Sequence, residues 1–294
     1  MGNILVTGAT GLLGCALTPV LKQHGHQVIR AGRTRESDVN FDLTSYEETA
    51  RTLDQAKPEV IVNLAALTDV DRCENHPHEA YLLNVKTVKN LCNWIRKKGR
   101  ACHLIHISTD QLYNGTGPHE EGNVSVCNHY AMSKLAAEFV GATVGCTTLR
   151  VNFVGRSGCS GRLSLTDWLY NALRTESSVN VFSDVLFSPL AISTLCSCIE
   201  RCALERPVGV FNLGSRDGLS KADFAFAFAA HLGFQTKNLR RVSLRSSKDL
   251  LACRPTDMRM ISERFEHRMS LKLPRLADEI ELIAKHYQNR EWNE

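Results

Sequence analysis

Long apolar runs are missing from this 294-residue chain. None approaches the roughly 18–20 residues a membrane-spanning helix needs, which excludes that architecture. A strong charge of either sign is missing too: 35 basic against 31 acidic residues leave a formal net charge of +4. That is too little for a nucleic-acid partner, although it favours the approach of an anionic substrate. The start of the chain has no basic region followed by a long apolar stretch, so no secretory leader is expected and a cytoplasmic protein is. Val6 stands where a myristoylation signal wants Ser or Thr. Metal-ligand spacing is also lacking. The cysteines are odd in number, eleven, and scattered through apolar segments, a pattern of reduced thiols. Cys196, Cys198 and Cys202 lie in a helix-like stretch where the last two share a face. No CxxC or histidine pair completes a ligand set, so they read as buried small residues and no metal is expected.

What is present is a globular composition, 43% hydrophobic and 22% charged, in a regular order. Apolar, β-rich runs at 4–7, 27–31, 60–64, 103–107 and 147–151 alternate with helix-like segments at 12–24, 46–55, 77–97 and 130–140. Strands apolar throughout belong in a parallel sheet covered on both faces. The alternation predicts a doubly wound α/β fold with ligands at the carboxyl ends of the strands. Beyond about residue 155 the rhythm loosens, with strands at 179–182, 208–213 and 240–244 and helices at 221–232 and 276–287. The expected division is a dinucleotide-binding domain over 1–155, to which roughly 178–205 returns, and a smaller C-terminal α/β substrate lobe over most of 156–294.

Gly8-Ala9-Thr10-Gly11-Leu12-Leu13-Gly14 follows the first strand and opens a helix. Gly8 permits a tight turn, Gly11 lets backbone approach a pyrophosphate, and Gly14 lets helix pack on strand. The helix N-terminus supplies oriented N–H donors to the anion, the signature of a Rossmann dinucleotide site. At the end of the second strand an NAD site usually offers a carboxylate to the ribose. Here the run is Gly32-Arg33-Thr34-Arg35, with no carboxylate before Glu36. Arg33 or Arg35 would hold a 2′-phosphate instead, so NADP(H) is expected over NAD(H).

Tyr130 and Lys134 stand four apart at a helix start, on one face. An ammonium beside a phenol should lower the phenol pKa toward the working range, making Tyr130 a proton donor to a carbonyl. Upstream, an apolar strand ends in Ser108-Thr109-Asp110, and a hydroxyl there would orient that carbonyl against Tyr130. Thr109, Tyr130 and Lys134 are the candidate catalytic residues.

In this order of motifs the chain resembles the extended short-chain dehydrogenases/reductases, and within them the dTDP-4-dehydrorhamnose reductase family. The likeness covers most of the chain and is densest over 1–155. Residues 58–71, PEVIVNLAALTDVD, are similar to that family's P-D-x-V-I-N-x-A-A-x-T-x-V-D. Ala80-Tyr81 with Asn84, Ser108-Thr109-Asp110 with Asn114-Gly115-Thr116, Asn128 through Glu138, and Arg254-Pro255 resemble its other signatures. The resemblance implies that Ala65, Ala66, Thr68, Asn84 and Ser108 border the cofactor, with Asp42 and Leu43 near the adenine. It implies that Thr109, Asp110, Gln111, Phe153 and Arg254 meet the substrate. The implied reaction is reduction of the 4-keto group of a nucleotide-linked 6-deoxy sugar, by a chain that could pair as a homodimer. Gln111 replaces the family's Tyr, Val126-Cys127 its Pro-Leu and Ala131 its Gly, and its D-Q-x-G-x-P-T loop is reduced to residues 184–190. Two other readings stay open: nucleotide-sugar epimerisation, and a non-catalytic NADP-binding regulatory subunit like that of methionine adenosyltransferase.

Overall fold

The computed structural model describes residues 2–34, 36–99, 102–159, 161–247 and 249–288, so Arg35 lies outside the described residues. The first half runs β1 (Asn3–Thr7), α1 (Leu12–Gln23), β2 (Gln27–Gly32), β3 (Val39–Asn40), α2 (Tyr46–Ala56), β4 (Val60–Asn63), α3 (Val70–Asn75), α4 (Pro77–Ala80), α5 (Thr87–Lys97), β5 (His103–Thr109), α6 (His129–Ala142) and β6 (Thr147–Val151). The second half adds β7 (Phe153–Val154), α7 (Leu165–Arg174), β8 (Val179–Phe182), β9 (Leu186–Phe187), β10 (Leu190–Ala191), α8 (Ile192–Glu205), β11 (Gly209–Leu213), β12 (Leu219–Ser220), α9 (Lys221–Leu232), β13 (Leu239–Val242), α10 (Glu263–Met269) and α11 (Leu276–Gln288). The helix expected over 77–97 is one helical run, α4 to α5, with a π segment at Tyr81–Lys86 between them.

Seven strands form one parallel sheet in the order β11-β6-β5-β4-β1-β2-β3. Alternate residues of β1 explain why it is apolar throughout. Ile4 and Val6 face a core made with Leu13 and Leu17 of α1 and Leu195 and Ile199 of α8. Leu5 faces the opposite core, made with Leu53 of α2, Leu91 of α5 and Ala137 of α6. With helices on both faces, the middle of the strand is apolar on both sides. From β1 the chain winds outward to β3, then crosses to β4 and winds the other way. Strand order therefore reverses between β1 and β4, and a crevice opens at their carboxyl ends.

The second lobe has its own core, where Phe187, Phe224, Phe228, Ile280 and Ile283 are fully buried among α7, α9 and α11. Its ladders are short: β8 pairs with β13, β9 with β12, and β7 with β10. The return expected at 178–205 divides accordingly. β8 stays in the second lobe beside β13, α8 packs on α1, and the strand that rejoins the main sheet is β11. Among the described residues no helix is long and apolar enough to cross a membrane. Cys196, Cys198 and Cys202 are buried along α8 in the main core.

Candidate active site

The glycine loop sits at the reversal point. Gly8 adopts φ +64°, and a Cβ there would lie 2.9 Å from the Ala65 amide nitrogen. A Cβ on Gly14 would lie 2.5 Å from the Gly8 carbonyl oxygen. Both positions thus exclude any larger residue, as backbone rather than a flexible side chain is in the way. Gly11 is the N-cap of α1 and offers no capping side chain. The first-turn amides of Leu12, Leu13 and Gly14 therefore lack intrahelical partners, and these three residues line an adjoining cavity.

That cavity, about 330 Å³, is bordered by Gly8, Gly11–Gly14, Ala66 and Thr68 on one side and by Ser108, Thr109, Asp110, Gln111, Tyr130, Lys134 and Phe153 on the other. A second chamber of about 220 Å³ shares Gly8, Gly11, Ala66 and Arg162 with the first and extends past Thr10, Ala65, Arg33, Asp42 and Leu43. Together they make one cleft along the sheet's carboxyl edge. Arg33 is exposed, with no hydrogen-bond or ion-pair partner among the described residues. The Asp42 carboxylate is turned onto its own loop, accepting from the Thr44 amide and hydroxyl at 2.8 Å each, which lowers its pKa.

At the catalytic end, Asn128 caps α6 through its side-chain oxygen, which accepts from the Ala131 amide at 2.8 Å. This fixes Tyr130 and Lys134 on the turn facing β5. Thr109, Tyr130 and Lys134 are all buried, and Tyr130 lies within hydrogen-bond reach of Thr109. Lys134 donates to the Ile107 carbonyl at 2.6 Å, and burial lowers its pKa to about 8 against the pull of Glu138. The expected lowering of the Tyr130 pKa is corrected. Burial raises it, and the nearby Thr109 hydroxyl opposes that only in part, while Lys134 donates to the Ile107 carbonyl and not to the phenol.

Two expected ligands are not brought to the cleft. Asn84 is buried behind it, accepting from the Leu67 amide at 2.7 Å and donating to Ser133 at 2.8 Å, so it ties the loop after β4 to α6. Arg254 pairs with Asp71 at 2.9 Å and donates to the Ala252 carbonyl, and it lines neither chamber. Ser108 borders the cavity, but its hydroxyl is committed to Glu138 at 2.5 Å. Gln111 lines the cavity despite its departure from the family pattern, and its buried amide oxygen has no partner among the described residues. Arg162 and Asn152 line the cavity and went unremarked in the sequence. Asn152 could have been found as the residue just past β6, at a strand's carboxyl end. Arg162 lies in an irregular glycine-rich loop and carries no periodic signal.

Asp110 accepts from Thr109 at 3.3 Å and from the Asn152 amide. Burial raises its pKa to about 6. A raised carboxyl pKa means the folded protein carries a penalty above about pH 6 that is relieved as pH falls toward the unfolded value of 3.8. Asp110→Asn should therefore raise stability at pH 8 by on the order of 2–3 kcal/mol, with the gain gone near pH 4. Urea melts of both proteins at the two pH values check this, and an equal effect at both would contradict it.

The sequence model of the family described as "RmlD substrate binding domain" matches residues 2–289. The chain belongs to that family. It is 28% identical over 290 residues to the dTDP-4-dehydrorhamnose reductase of Sinorhizobium fredii, covering 92% of this chain and 93% of that one. Methionine adenosyltransferase 2 subunit beta of Bos taurus is 26% identical, over 90% of this chain and 81% of its own. Among solved structures, dTDP-4-dehydrorhamnose reductase from Bacillus anthracis in complex with NADP superposes with a TM-score of 0.87 at 21% identity, covering 96% of this chain and 98% of that one. That likeness fixes the fold: a large parallel sheet with helices on both faces and the cleft at its carboxyl edge.

Proposed function

We propose that the chain is a nicotinamide-dependent oxidoreductase that reduces the 4-keto group of a nucleotide-linked 6-deoxy sugar. The observation that carries this reading is the single cleft in which the uncapped start of α1 faces Thr109, Tyr130 and Lys134. The glycine cradle fits a dinucleotide, because only there can a pyrophosphate reach the free amides of Leu12–Gly14. When bound, NADPH supplies the hydride. Thr109 orients the carbonyl, Tyr130 gives its oxygen a proton, and Lys134 holds positive charge at the ribose. The unpaired Gln111 amide oxygen accepts a hydroxyl of the sugar. The residues of 1–155 hold the cofactor, and the second lobe closes the sugar end.

Incubation with a panel of nucleotide-linked 4-keto sugars tests the reading. One NADPH should disappear per ketone reduced. An epimerase would convert sugar with no net cofactor consumption, and a regulatory subunit would convert nothing.

Arg33 makes the cofactor NADPH rather than NADH. Its exposed side chain borders the chamber that would hold the adenosine end, with no hydrogen-bond or ion-pair partner among the described residues, and a charge-assisted contact to a 2′-phosphate contributes roughly 1.5–3 kcal/mol. NADPH should thus bind on the order of tenfold or more tighter than NADH. Arg33→Ala should remove most of that margin while leaving NADH little changed. Titration of both cofactors by fluorescence checks it; equal affinities in the unmodified protein would refute the role.

A further inference from the structure

All eleven cysteines fall among the described residues, and seven are buried. The four that reach solvent, Cys15, Cys127, Cys159 and Cys253, meet in two pairs. Cys159 donates to the Thr10 carbonyl at 3.4 Å, and a Cβ on its chain neighbour Gly158 would lie 4.0 Å from the Cys15 Cβ, which places the two cysteines side by side. The Cys127 thiol donates to the Cys253 carbonyl at 3.8 Å, and Asn128 donates to that same carbonyl at 2.9 Å, which places the two cysteines side by side. Each pair joins a part of the dinucleotide domain to a distant segment. Cys15 follows Gly14 on α1, and Cys159 belongs to the loop between β7 and α7 that carries Arg162. Cys127 precedes the cap of α6, and Cys253 precedes Arg254. Four scattered cysteines have no packing reason to pair in this way, since the buried seven already serve the core.

We propose that these pairs are two dithiol–disulfide sites, Cys15–Cys159 and Cys127–Cys253, which a low-molecular-weight disulfide such as oxidised glutathione converts to cross-links, the first of them beside the glycine turn. In each, one protein thiolate attacks the small disulfide, breaks its S–S bond and releases one small thiol. The second protein thiolate then displaces the other half. Two cysteines are oxidised, one small disulfide is reduced to two thiols, and the two protons pass to those thiols. Cys159 and Cys127 hold their protons tightly, pushed up to about 12 by burial and the adjacent sulfur. In the second pair the first attack falls to Cys253, the one exposed thiol of the four. The Cys15–Cys159 link pins the Arg162 loop against the glycine turn and slows passage of the dinucleotide; this consequence, unlike the links themselves, rests on the proposed cofactor site.

The reduced full chain is incubated with oxidised glutathione, alkylated without denaturation and mapped by peptide mass spectrometry. Two internal links, 15–159 and 127–253, should form, with a mass loss of four hydrogens that dithiothreitol reverses. Cys159→Ser should form only the second link and Cys253→Ser only the first. NADPH release followed by stopped flow should slow severalfold in the oxidised protein and in oxidised Cys253→Ser, but not in oxidised Cys159→Ser. Stable glutathione adducts without internal links, links to the buried cysteines, or links between molecules would overturn the proposal. Correct links with unchanged NADPH release would overturn the gating. Correct links in a protein that binds no NADPH would count against the cofactor reading and leave the dithiol sites standing.

Discussion

Tyr130→Phe should lower turnover by about 10²–10⁴-fold, the range general acid catalysis supplies, while NADPH affinity stays within a factor of about two. The ring is buried among Val70, Cys73, Ala80 and Ala252, so removing one oxygen leaves its packing intact. The lost group is the one that hands a proton to the carbonyl oxygen. Burial keeps the phenol protonated across the neutral range, which suits a donor in the reductive direction. Single-turnover rates for the two proteins decide the matter. Unchanged turnover in the variant would move the proton donor elsewhere, with Asp110, close to Thr109 and protonated below about pH 6, the next group to test.

Glu138→Ala should cost about 3–5 kcal/mol of stability, the usual result of stripping one partner from a buried ion pair. Glu138 lies one turn beyond Lys134 on α6 and accepts from Arg150 through both oxygens, at 2.9 and 2.6 Å. The two side chains are 3% and 4% exposed, so neither is screened by water. Arg150 also donates to the Tyr113 hydroxyl and the Glu121 carbonyl at 2.7 Å each, and Ser108 donates to Glu138. Removal of the carboxylate would leave a guanidinium uncompensated beneath the catalytic strand. Glu138→Gln should lose less, because the amide oxygen can still accept from Arg150 or Ser108. Chemical denaturation of both variants reads the difference; a loss under about 1 kcal/mol for the alanine variant would show that the network contributes little.

The parts legible in the sequence are those whose chemistry is local. Gly8 and Gly14 are forced by backbone contacts a few residues away or across one strand, and Tyr130 and Lys134 are set by a single helical turn. The parallel sheet is legible because strands covered on both faces carry apolar runs in place of an in–out alternation. The failures all depend on contacts distant in the chain. Arg254 belongs to Asp71, and Asn84 to Leu67 and Ser133. The rise in the Tyr130 pKa comes from burial, which no motif records. Two-residue ladders such as β7 with β10 are too short for any period to appear, which is why the sequence shows only a looser rhythm in the second lobe.

The central claim is that the cleft passes a hydride to a sugar carbonyl while Tyr130 supplies the proton. Single-turnover reaction of a nucleotide-linked 4-keto-6-deoxy sugar with NADPH deuterated at its transferable position tests this most directly, with the product read by NMR. The account predicts one deuterium at C4 of the sugar for each NADPH oxidised, and none when NADPH is omitted. A sugar product without deuterium, or one formed while NADPH stays reduced, would contradict it.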